Sequence, residues 1–280
     1  MMGAMPSPLL ASPSNPRIRS VARLRDRRER ESTGFTLVDG AREVRRALEA
    51  GVDHAEVVEA FVCEPLLAGE DARVALDLLR DRGVPITATT EPAFTKIAFG
   101  DRVEGLVAVI RAPDRGLEDL ALPDQPLLVV VEGVEKPGNL GAILRSADGA
   151  GVDALIAASP RTDLANPNVI RASSGTIFSV PTATAPTAEV IDWLVRRGIR
   201  AIAARVDGEQ SYTDADLSGS IAIVLGSEAE GLTDAWRAAH AQTVRLPMHG
   251  VADSLNVSVA AAVLLYEARR QRNRHLETPH

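Results

Sequence analysis

The chain has 280 residues, enough for two domains, and its 45% hydrophobic and 25% charged residues are ordinary values for a globular protein. A formal net charge of −7 argues against a histone-like or tail-type nucleic-acid binder, although it leaves room for a local basic patch. The single cysteine excludes an intramolecular disulfide framework and a cysteine-rich metal site, and it suits a reducing cytoplasm. No apolar run has transmembrane length and the histidines lack metal-ligand spacing, so we expect neither membrane association nor a bound metal.

The first half of the chain alternates helical and extended patterns. Residues 1–16 contain Pro and Ser without a signal-peptide pattern, and we expect them to form a disordered leader. Residues 17–111 predict a small α/β domain. Its elements are helices within 17–50 around a strand at 35–38, a strand at 57–62, a helix at 72–80, a strand at 84–88, a short helix near Phe94 and a strand at 105–110. Prolines and acids predict that residues 112–126 form a linker.

Arginines are concentrated near the start of this first domain. Seven of them fall between positions 17 and 30, and only Asp26 and Glu29 offset them there. Such a charge run is most often the solvated face of a helix. The alternative is an edge that contacts RNA phosphates, and for that role Arg23 and Arg27 are our candidates.

Residues 127–280 predict a second domain with a parallel sheet. The continuous aliphatic run at 127–131 is typical of a strand that is covered on both faces. Similar short runs recur at 154–157, 199–204, 221–225 and 243–246, with helical stretches or turn residues between them. The last element, 254–272, is predicted to be a long helix with one apolar face.

The first motif follows the strand at 127–131. Residues 136–145 read Lys-Pro-Gly-Asn-Leu-Gly-Ala-Ile-Leu-Arg, a glycine-bearing turn from a strand into a helix, where backbone amides can approach a ligand. An ordinary turn with Asn139 as the helix cap is the simpler explanation of the glycines alone. The spacing of Gly138 and Gly141 does not fit the G-x-G-x-x-G pattern of dinucleotide-binding proteins. Arg145 lies about two helical turns beyond Asn139, so both could flank one cavity.

The second motif, at residues 225–232, reads Leu-Gly-Ser-Glu-Ala-Glu-Gly-Leu. Acids and glycines at the end of a strand suit an adenosyl or ribose group, because Glu228 can accept hydrogen bonds from hydroxyl and amino groups. They suit a polyphosphate poorly, since the carboxylates would repel it. An acidic turn without a ligand remains the alternative.

The third motif consists of Leu-Pro-Met at 246–248 and Ser-Leu-Asn-Val-Ser at 254–258. Ser254 and Asn256 open the last helix, where one of them can cap the helix and both can direct polar groups into a cleft. Taken alone, this segment is typical of a capped amphipathic helix.

Together and in this order, the three motifs resemble the signature of the SpoU, or TrmH-like, branch of the SPOUT RNA methyltransferases. The family pattern is Asn-x-Gly-x-x-x-Arg, then Gly-x-Glu-x-x-Gly, then a Leu-Pro segment before Ser-Leu-Asn-Val-Ser. The stretch at 171–181, which begins Arg-Ala-Ser-Ser-Gly, resembles a further internal segment of the family. Residues 17–111 resemble, more weakly, the substrate-binding domain that many members carry. The layout is also similar to that of the thiostrepton-resistance ribosomal RNA methyltransferases.

The resemblance implies a fold and a set of site residues. It implies a trefoil-knotted, parallel-sheet methyltransferase domain, preceded by the small α/β domain, and a homodimer whose interface uses the last helix. The residues that it implies for binding S-adenosyl-L-methionine are Leu225, Gly226, Gly231, Leu246, Met248 and Leu255. Those that it implies for catalysis are Arg145, Asn139, Glu228, Ser254 and Asn256. Arg171 would contact RNA phosphate or support the second subunit's site.

The function that follows is 2′-O-methylation of an RNA ribose, most simply in ribosomal RNA and in the cytoplasm. Because a guanidinium stays protonated in proteins, Arg145 is expected to stabilise negative charge on the 2′-oxygen and orient the neighbouring phosphate. Three alternatives remain: a transfer RNA methyltransferase, a silent RNA-binding protein of the same fold, and a nicotinamide enzyme, which the glycine spacing disfavours.

Overall fold

The computed structural model describes residues 9–52, 54–99, 103–112 and 115–277, and these form two compact units. The first unit contains the described residues up to 112 together with Leu164–Ser179, and the second contains the described residues from 115 to 163 and from 180 onwards. Of the predicted leader, residues 1–8 lie outside the described residues, whereas Leu10 forms a β-bridge with Thr89. The boundaries predicted at 16, 111 and 126 stay predictions.

The first unit is built on a four-stranded mixed sheet. Its elements up to residue 111 are α1 (Pro16–Arg23), α2 (Arg27–Thr33), β1 (Phe35–Asp39), α3 (Ala41–Ala50), β2 (Val57–Val62), α4 (Gly69–Asp81), β3 (Ile86–Ala88), α5 (Glu91–Ile97) and β4 (Leu106–Arg111). The strand order is β1-β4-β2-β3, with β4 antiparallel to both of its neighbours. Ile18, Leu37, Phe61, Phe94 and Ile97 are fully buried in its core. The alternating α/β pattern predicted for 17–111 is therefore confirmed.

From residue 127 the chain forms a second, larger sheet. The elements are β5 (Leu127–Glu132), α6 (Pro137–Ala150), β6 (Ala154–Ala158), α7 (Pro167–Ala172), β7 (Thr182–Ala185), α8 (Thr187–Arg196), β8 (Arg200–Ala204), β9 (Gln210–Ser211), β10 (Ile221–Leu225), α9 (Ala235–Ala238), β11 (Gln242–Arg245) and α10 (Val257–Glu277). The sheet has seven parallel strands in the order β7-β6-β5-β10-β8-β11-β9. Every residue of β5, β6 and β10 is buried, which explains their continuous aliphatic runs.

The segment Leu164–Ser179, which includes α7, packs within the first unit although the chain on both sides of it belongs to the second. Thr36 Oγ1 donates to the carbonyl of Ala165 at 2.5 Å, and Arg46 donates to the carbonyl of Ser174 at 2.7 Å. Gly175 has a φ of +81°, and a Cβ there would lie 3.1 Å from side-chain carbons of Arg46. The segment is therefore fitted closely to β1 and α3.

The core of the second unit includes part of the predicted linker. Leu117 and Leu120 are buried in the same apolar cluster as Leu128, Trp193 and Trp236. Apolar side chains spaced three apart can be buried by a single turn of 3₁₀ helix, which here covers Leu117–Asp119.

In the described part of the chain, no helix combines the length and apolar character needed to cross a membrane.

Candidate active site

A cleft opens where the loops after β8, β10 and β11 meet at the carboxyl edge of the large sheet. Its volume is about 470 Å³. In open parallel sheets this edge is where ligands bind. The cleft is lined by all six residues predicted to hold the cofactor, namely Leu225, Gly226, Gly231, Leu246, Met248 and Leu255, and by Glu228 and Ser254. The second and third motifs therefore meet at one place.

Glycines shape the loop between β10 and α9. The backbone of Gly231 has a φ of +67° and its N–H donates to the carbonyl of Ser227 at 3.0 Å, so the loop folds back on itself. A Cβ on Gly226 would collide with the backbone of Gly231 and Leu232. Glycine is thus required at 226 by the close approach of two stretches of backbone.

The chemistry of the lining fits an adenosyl sulfonium compound. Apolar side chains of Leu225, Leu246 and Met248 offer a surface for a flat ring, and the rim carries acids, among them Glu228 and Glu230. Carboxylates in the lining disfavour a polyphosphate, which they would repel.

One side chain from each motif joins a hydrogen-bonded cluster beside the cleft. Oε1 of Glu228 accepts from Nδ2 of Asn139 at 2.8 Å and from Nδ2 of Asn256 at 2.7 Å. Nδ2 of Asn256 also lies 3.2 Å from Oδ1 of Asn139. We call these three residues the Asn-Glu-Asn cluster. Its members are 89, 117 and 28 positions apart in the chain, so only the fold brings them together.

Local structure fixes two members of the cluster. Pro137 occupies the start of α6, where a missing N–H costs nothing, and this places Asn139 in the first turn. Asn256 precedes α10, and its Oδ1 accepts from the N–H of Ser258 at 2.9 Å and from the Ser258 hydroxyl at 2.6 Å. The prediction that one of Ser254 and Asn256 caps the last helix is confirmed for Asn256.

Lys136 adds a charge to the cluster. Its Nζ donates to Oε2 of Glu228 at 2.5 Å, and the two side chains are 72% and 29% exposed. This hydrogen bond, followed by that of Asn139, lowers the pKa of Glu228 below its ordinary value. The Glu228 hydrogen bond in turn raises the pKa of Lys136. Lys136 was part of a recognised motif but was not among the predicted site residues, because nothing in the sequence indicates which loop it would face.

Arg161, in the loop after β6, forms a second bridge between the same two loops. Its guanidinium pairs with Glu135 of the β5–α6 loop and, at 2.5 Å, with Glu230 of the loop after β10. The hydrogen bond to Glu230 is the leading cause that raises the pKa of Arg161, and it lowers that of Glu230. Sequence reasoning also missed this residue, which stands outside the three motifs.

Arg145 is not part of the Asn-Glu-Asn cluster. It lies on α6, exposed, does not line the cleft, and makes no hydrogen bond or ion pair with any residue that the structure describes. Arg145 lies six positions after Asn139, and six steps turn an α-helix through about 600°, so the two side chains leave the helix about 120° apart.

The three predicted RNA-binding arginines lie in the first unit and already have partners. Arg171 donates to the Asp39 carboxylate at 3.1 Å, and its side chain is 23% exposed. Arg23 and Arg27 are exposed and pair with Glu29 and Glu31 at 3.3 and 2.7 Å. Elsewhere in the arginine run, Arg30 is buried and donates to backbone carbonyls, so this run is partly structural.

Across the described ranges, no group of three or more His, Cys, Asp or Glu side chains is arranged to hold a metal ion.

Known proteins share both halves of the chain. Residues 126–266 match the SpoU rRNA methylase family, and residues 15–108 match the MRM3-like substrate binding domain. A 23S rRNA (uridine(2479)-2′-O)-methyltransferase of Streptomyces viridochromogenes is 32% identical over 266 residues, which cover 90% of this chain and 88% of that protein.

Solved structures agree with this match. A crystal structure described as an RNA 2′-O ribose methyltransferase superposes with a TM-score of 0.82 at 43% identity, over 94% of this chain and 99% of that one. The SpoU methyltransferase AviRb from Streptomyces viridochromogenes, in complex with AdoMet, gives a TM-score of 0.83 at 31% identity, over 92% and 98% of the two chains. The resemblance predicted from the three motifs is confirmed. The chain belongs to the SpoU rRNA methylase family.

Proposed function

We propose that this enzyme transfers the methyl group of S-adenosyl-L-methionine to a ribose 2′-hydroxyl of ribosomal RNA. The observation that carries the proposal is the Asn-Glu-Asn cluster beside a cleft lined by the six predicted cofactor residues. The S. viridochromogenes relative is named for the same reaction on 23S rRNA, and the AviRb structure contains AdoMet. These names support both the cofactor and the substrate class.

The reaction needs an aligned methyl group, a fixed ribose oxygen and a route for its proton. When bound, S-adenosyl-L-methionine supplies a methyl group on a positively charged sulfur. The 2′-hydroxyl would give its proton to solvent water as its oxygen takes the methyl group, and the rest of the cofactor would leave as a neutral thioether. In this proposal Asn139, Glu228 and Ser254 contact the ribose and Asn256 holds Asn139 and Glu228 in place. The charge of Arg145, which has no ion pair among the described residues, stabilises the oxygen as it becomes negative.

The first domain, residues 17–111, captures the RNA, and residues 112–126 connect it to the methyltransferase domain at 127–280, in whose core Leu117 and Leu120 are buried. The match of residues 15–108 to a substrate-binding domain supports this division. Exposed Arg23 and Arg27 can exchange their acidic partners for phosphates, because surface ion pairs are weak. Arg171 has a stronger claim to a structural role, since its partner Asp39 is fully buried.

The enzyme acts as a homodimer in the cytoplasm. Val259 and Tyr266 of α10 are 48% and 54% exposed, and such apolar side chains on one helix suit an interface with a second copy. Light scattering after gel filtration measures the mass, and a monomer at micromolar concentration would contradict the dimer. The reducing cytoplasm suits a chain whose lone cysteine is buried and free.

The decisive experiment is methyl transfer from labelled cofactor to purified ribosomal RNA, with transfer RNA as a parallel substrate. A 2′-O-methyl group blocks alkaline cleavage at that nucleotide, so the label should appear in an alkali-stable dinucleotide. Ribose-methylation mapping in cells with and without the protein then identifies the position. Label on a base, or transfer to transfer RNA alone, would contradict the proposal, and binding without transfer would indicate a silent RNA-binding protein.

A further inference from the structure

Lys136 opens the first motif and contacts the Asn-Glu-Asn cluster, but the family pattern Asn-x-Gly-x-x-x-Arg begins three residues after it. Together with Asn139 and Glu228 it lines a second cavity of about 180 Å³. Its ammonium meets Oε2 of Glu228, while Oε1 of the same carboxylate receives both amides. Each oxygen of Glu228 therefore acts only as an acceptor.

The hydrogen bonds of the cluster leave only Asn139 with both a donor and an acceptor unused. Both N–H groups of the Asn256 amide are used, one for Glu228 and one for Asn139, and its oxygen receives two donors from Ser258. Asn139 gives one N–H to Glu228 and receives one donor from Asn256, so one N–H and one lone pair remain. A ribose hydroxyl, which is both donor and acceptor, matches this pair.

The orientation of the Asn139 amide depends on Glu228 being an acceptor. If Glu228 were protonated, it would become a donor, and the amide of Asn139 could reverse so that its oxygen faced Glu228. That reversal would also turn an N–H of Asn139 toward the N–H of Asn256. The charge on Glu228 thus determines which groups of Asn139 remain for the substrate.

We propose that Lys136 is a positioning residue for methyl transfer, which holds Glu228 as an acceptor and thereby fixes the amide of Asn139 toward the target ribose. This inference rests on the proposed function. Lys136 does not touch the reacting atoms and acts through Glu228 and Asn139.

The charges around Glu228 explain why a cation is needed there. Glu135 stands next to Lys136 and Glu230 lies two residues beyond Glu228, and both acids are paired with Arg161. Asp253 lines the cleft, where Arg205 is paired with Asp207. Without Lys136, Glu228 would face several acids and no directly bound cation among the described residues, so its pKa should rise.

The test compares the full-length parent with Lys136→Met and Lys136→Arg in single-turnover methyl transfer across pH 3.5 to 8, because the pKa of Glu228 lies below its ordinary value of 4.5. If the pKa of Glu228 rises by one unit, the rate at a pH well below that pKa falls about tenfold, whereas the rate on the plateau changes little. We therefore expect Lys136→Met to move the acid limb to higher pH and Lys136→Arg to restore it. Arg196→Met, which removes a cation from an exposed pair with Glu118, is the matched control and should keep the parent profile.

Two further measurements separate this role from others. The ¹³C shift of the Glu228 carboxyl should titrate at higher pH in Lys136→Met than in the parent, independently of activity. In the background of Glu228→Gln, whose side chain cannot ionise, Lys136→Met should have no further effect on the rate.

Other outcomes overturn the inference. Lys136→Met could instead lower the rate equally at all pH values and bind RNA more weakly and with less salt dependence. That result would show that Lys136 contacts an RNA phosphate. A parent-like profile and an unmoved Glu228 titration would make the pair a surface ion pair without function. Failure of the parent to methylate any RNA would instead refute the proposed function, while the carboxyl titration would still report whether Lys136 controls Glu228.

Discussion

Two glutamates at the carboxyl edge of the large sheet differ in how much of their hydrogen-bonding capacity is used. Glu132, the last residue of β5, is 4% exposed. It accepts from the hydroxyl of Thr187 at 2.8 Å, from the N–H and hydroxyl of Thr233 at 2.9 Å each, and from Nε1 of Trp236 at 3.1 Å. Four donors satisfy its charge without a cation, and they tie β5 to α8 and to the end of the loop after β10.

Glu228, three residues beyond the end of β10, is exposed and accepts from two amides and one ammonium. One lone pair on Oε2 and part of the Asn139 amide remain for a substrate. The buried glutamate has its hydrogen-bonding capacity filled and holds the loop, whereas the exposed one keeps capacity for a ligand. The number of unused acceptor positions therefore distinguishes the sites of Glu132 and Glu228, although both residues are glutamates.

The largest expected effect tests whether methyl transfer needs the charge of Arg145, which has no hydrogen bond or ion pair among the described residues. Arg145→Ala should slow single-turnover methyl transfer by about 10²–10³, because loss of one group that stabilises a developing oxyanion has that effect. Arg145→Lys should also be slow, since an ammonium lacks the planar two-point contact. Cofactor affinity, measured by calorimetry, and the melting temperature should stay near the parent values. Near-parent turnover would end the catalytic assignment.

A buried carboxylate that is not fully satisfied provides the next test. Asp39, at the end of β1, is fully buried, accepts from Phe99 N–H at 2.8 Å and pairs with Arg171, yet its Oδ1 has no partner. Burial raises its pKa from 3.8 to about 6, although the N–H of Phe99 and the charge of Arg171 both lower it. Because the folded state binds this proton more tightly, the stabilisation is present at low pH and is lost as the pH rises through about 6.

Between pH 4 and pH 7 the parent should therefore lose about 2 kcal/mol of unfolding free energy that Asp39→Asn does not lose. Urea unfolding followed by far-ultraviolet circular dichroism measures this difference, since the two tryptophans, Trp193 and Trp236, both lie in the second unit. Parallel pH profiles for the two proteins would show that Asp39 titrates normally.

The two glutamates themselves can be compared by the same substitution. Glu132→Gln places an NH₂ group against donors in a buried site and should cost about 1–3 kcal/mol of unfolding free energy. Glu228→Gln, at an exposed site, should change it by about 0.5 kcal/mol or less. Tryptophan fluorescence during urea unfolding reports both, because Trp236 contacts Glu132. Equal stability losses would remove the distinction between the two regions.

The smallest effect concerns the arginine run. Arg23→Ala and Arg27→Ala should each reduce the salt dependence of RNA affinity by about one unit of the log–log slope if the side chain reaches a phosphate. Arg73→Ala on α4, also exposed and paired with acids, is the matched control. Equal slopes for all three variants would show that these arginines form only a solvated helix face.

The parts of this molecule that were predictable from sequence are those carried by short-range patterns. The aliphatic runs of β5, β6 and β10 indicated a buried parallel sheet, and the three motifs named each member of the Asn-Glu-Asn cluster. The strand β7 was missed, because Thr182–Ala185 alternates threonine and alanine and resembles a loop in composition. Lys136 and Arg161 were missed for another reason: their acidic partners lie 92 and 69 positions away, and only tertiary structure pairs them.

The placement of Leu164–Ser179 has a consequence for protein engineering. Leu164, Val169, Ile170, Ile177 and Phe178 are buried, and the segment that carries them belongs to the first unit. A fragment that began at residue 126 would keep these side chains and lose β1 and α3, against which the segment packs. Transplanting the first unit onto the second unit of a relative therefore requires three crossovers, one near residue 113 and one at each end of the sixteen residues from 164 to 179.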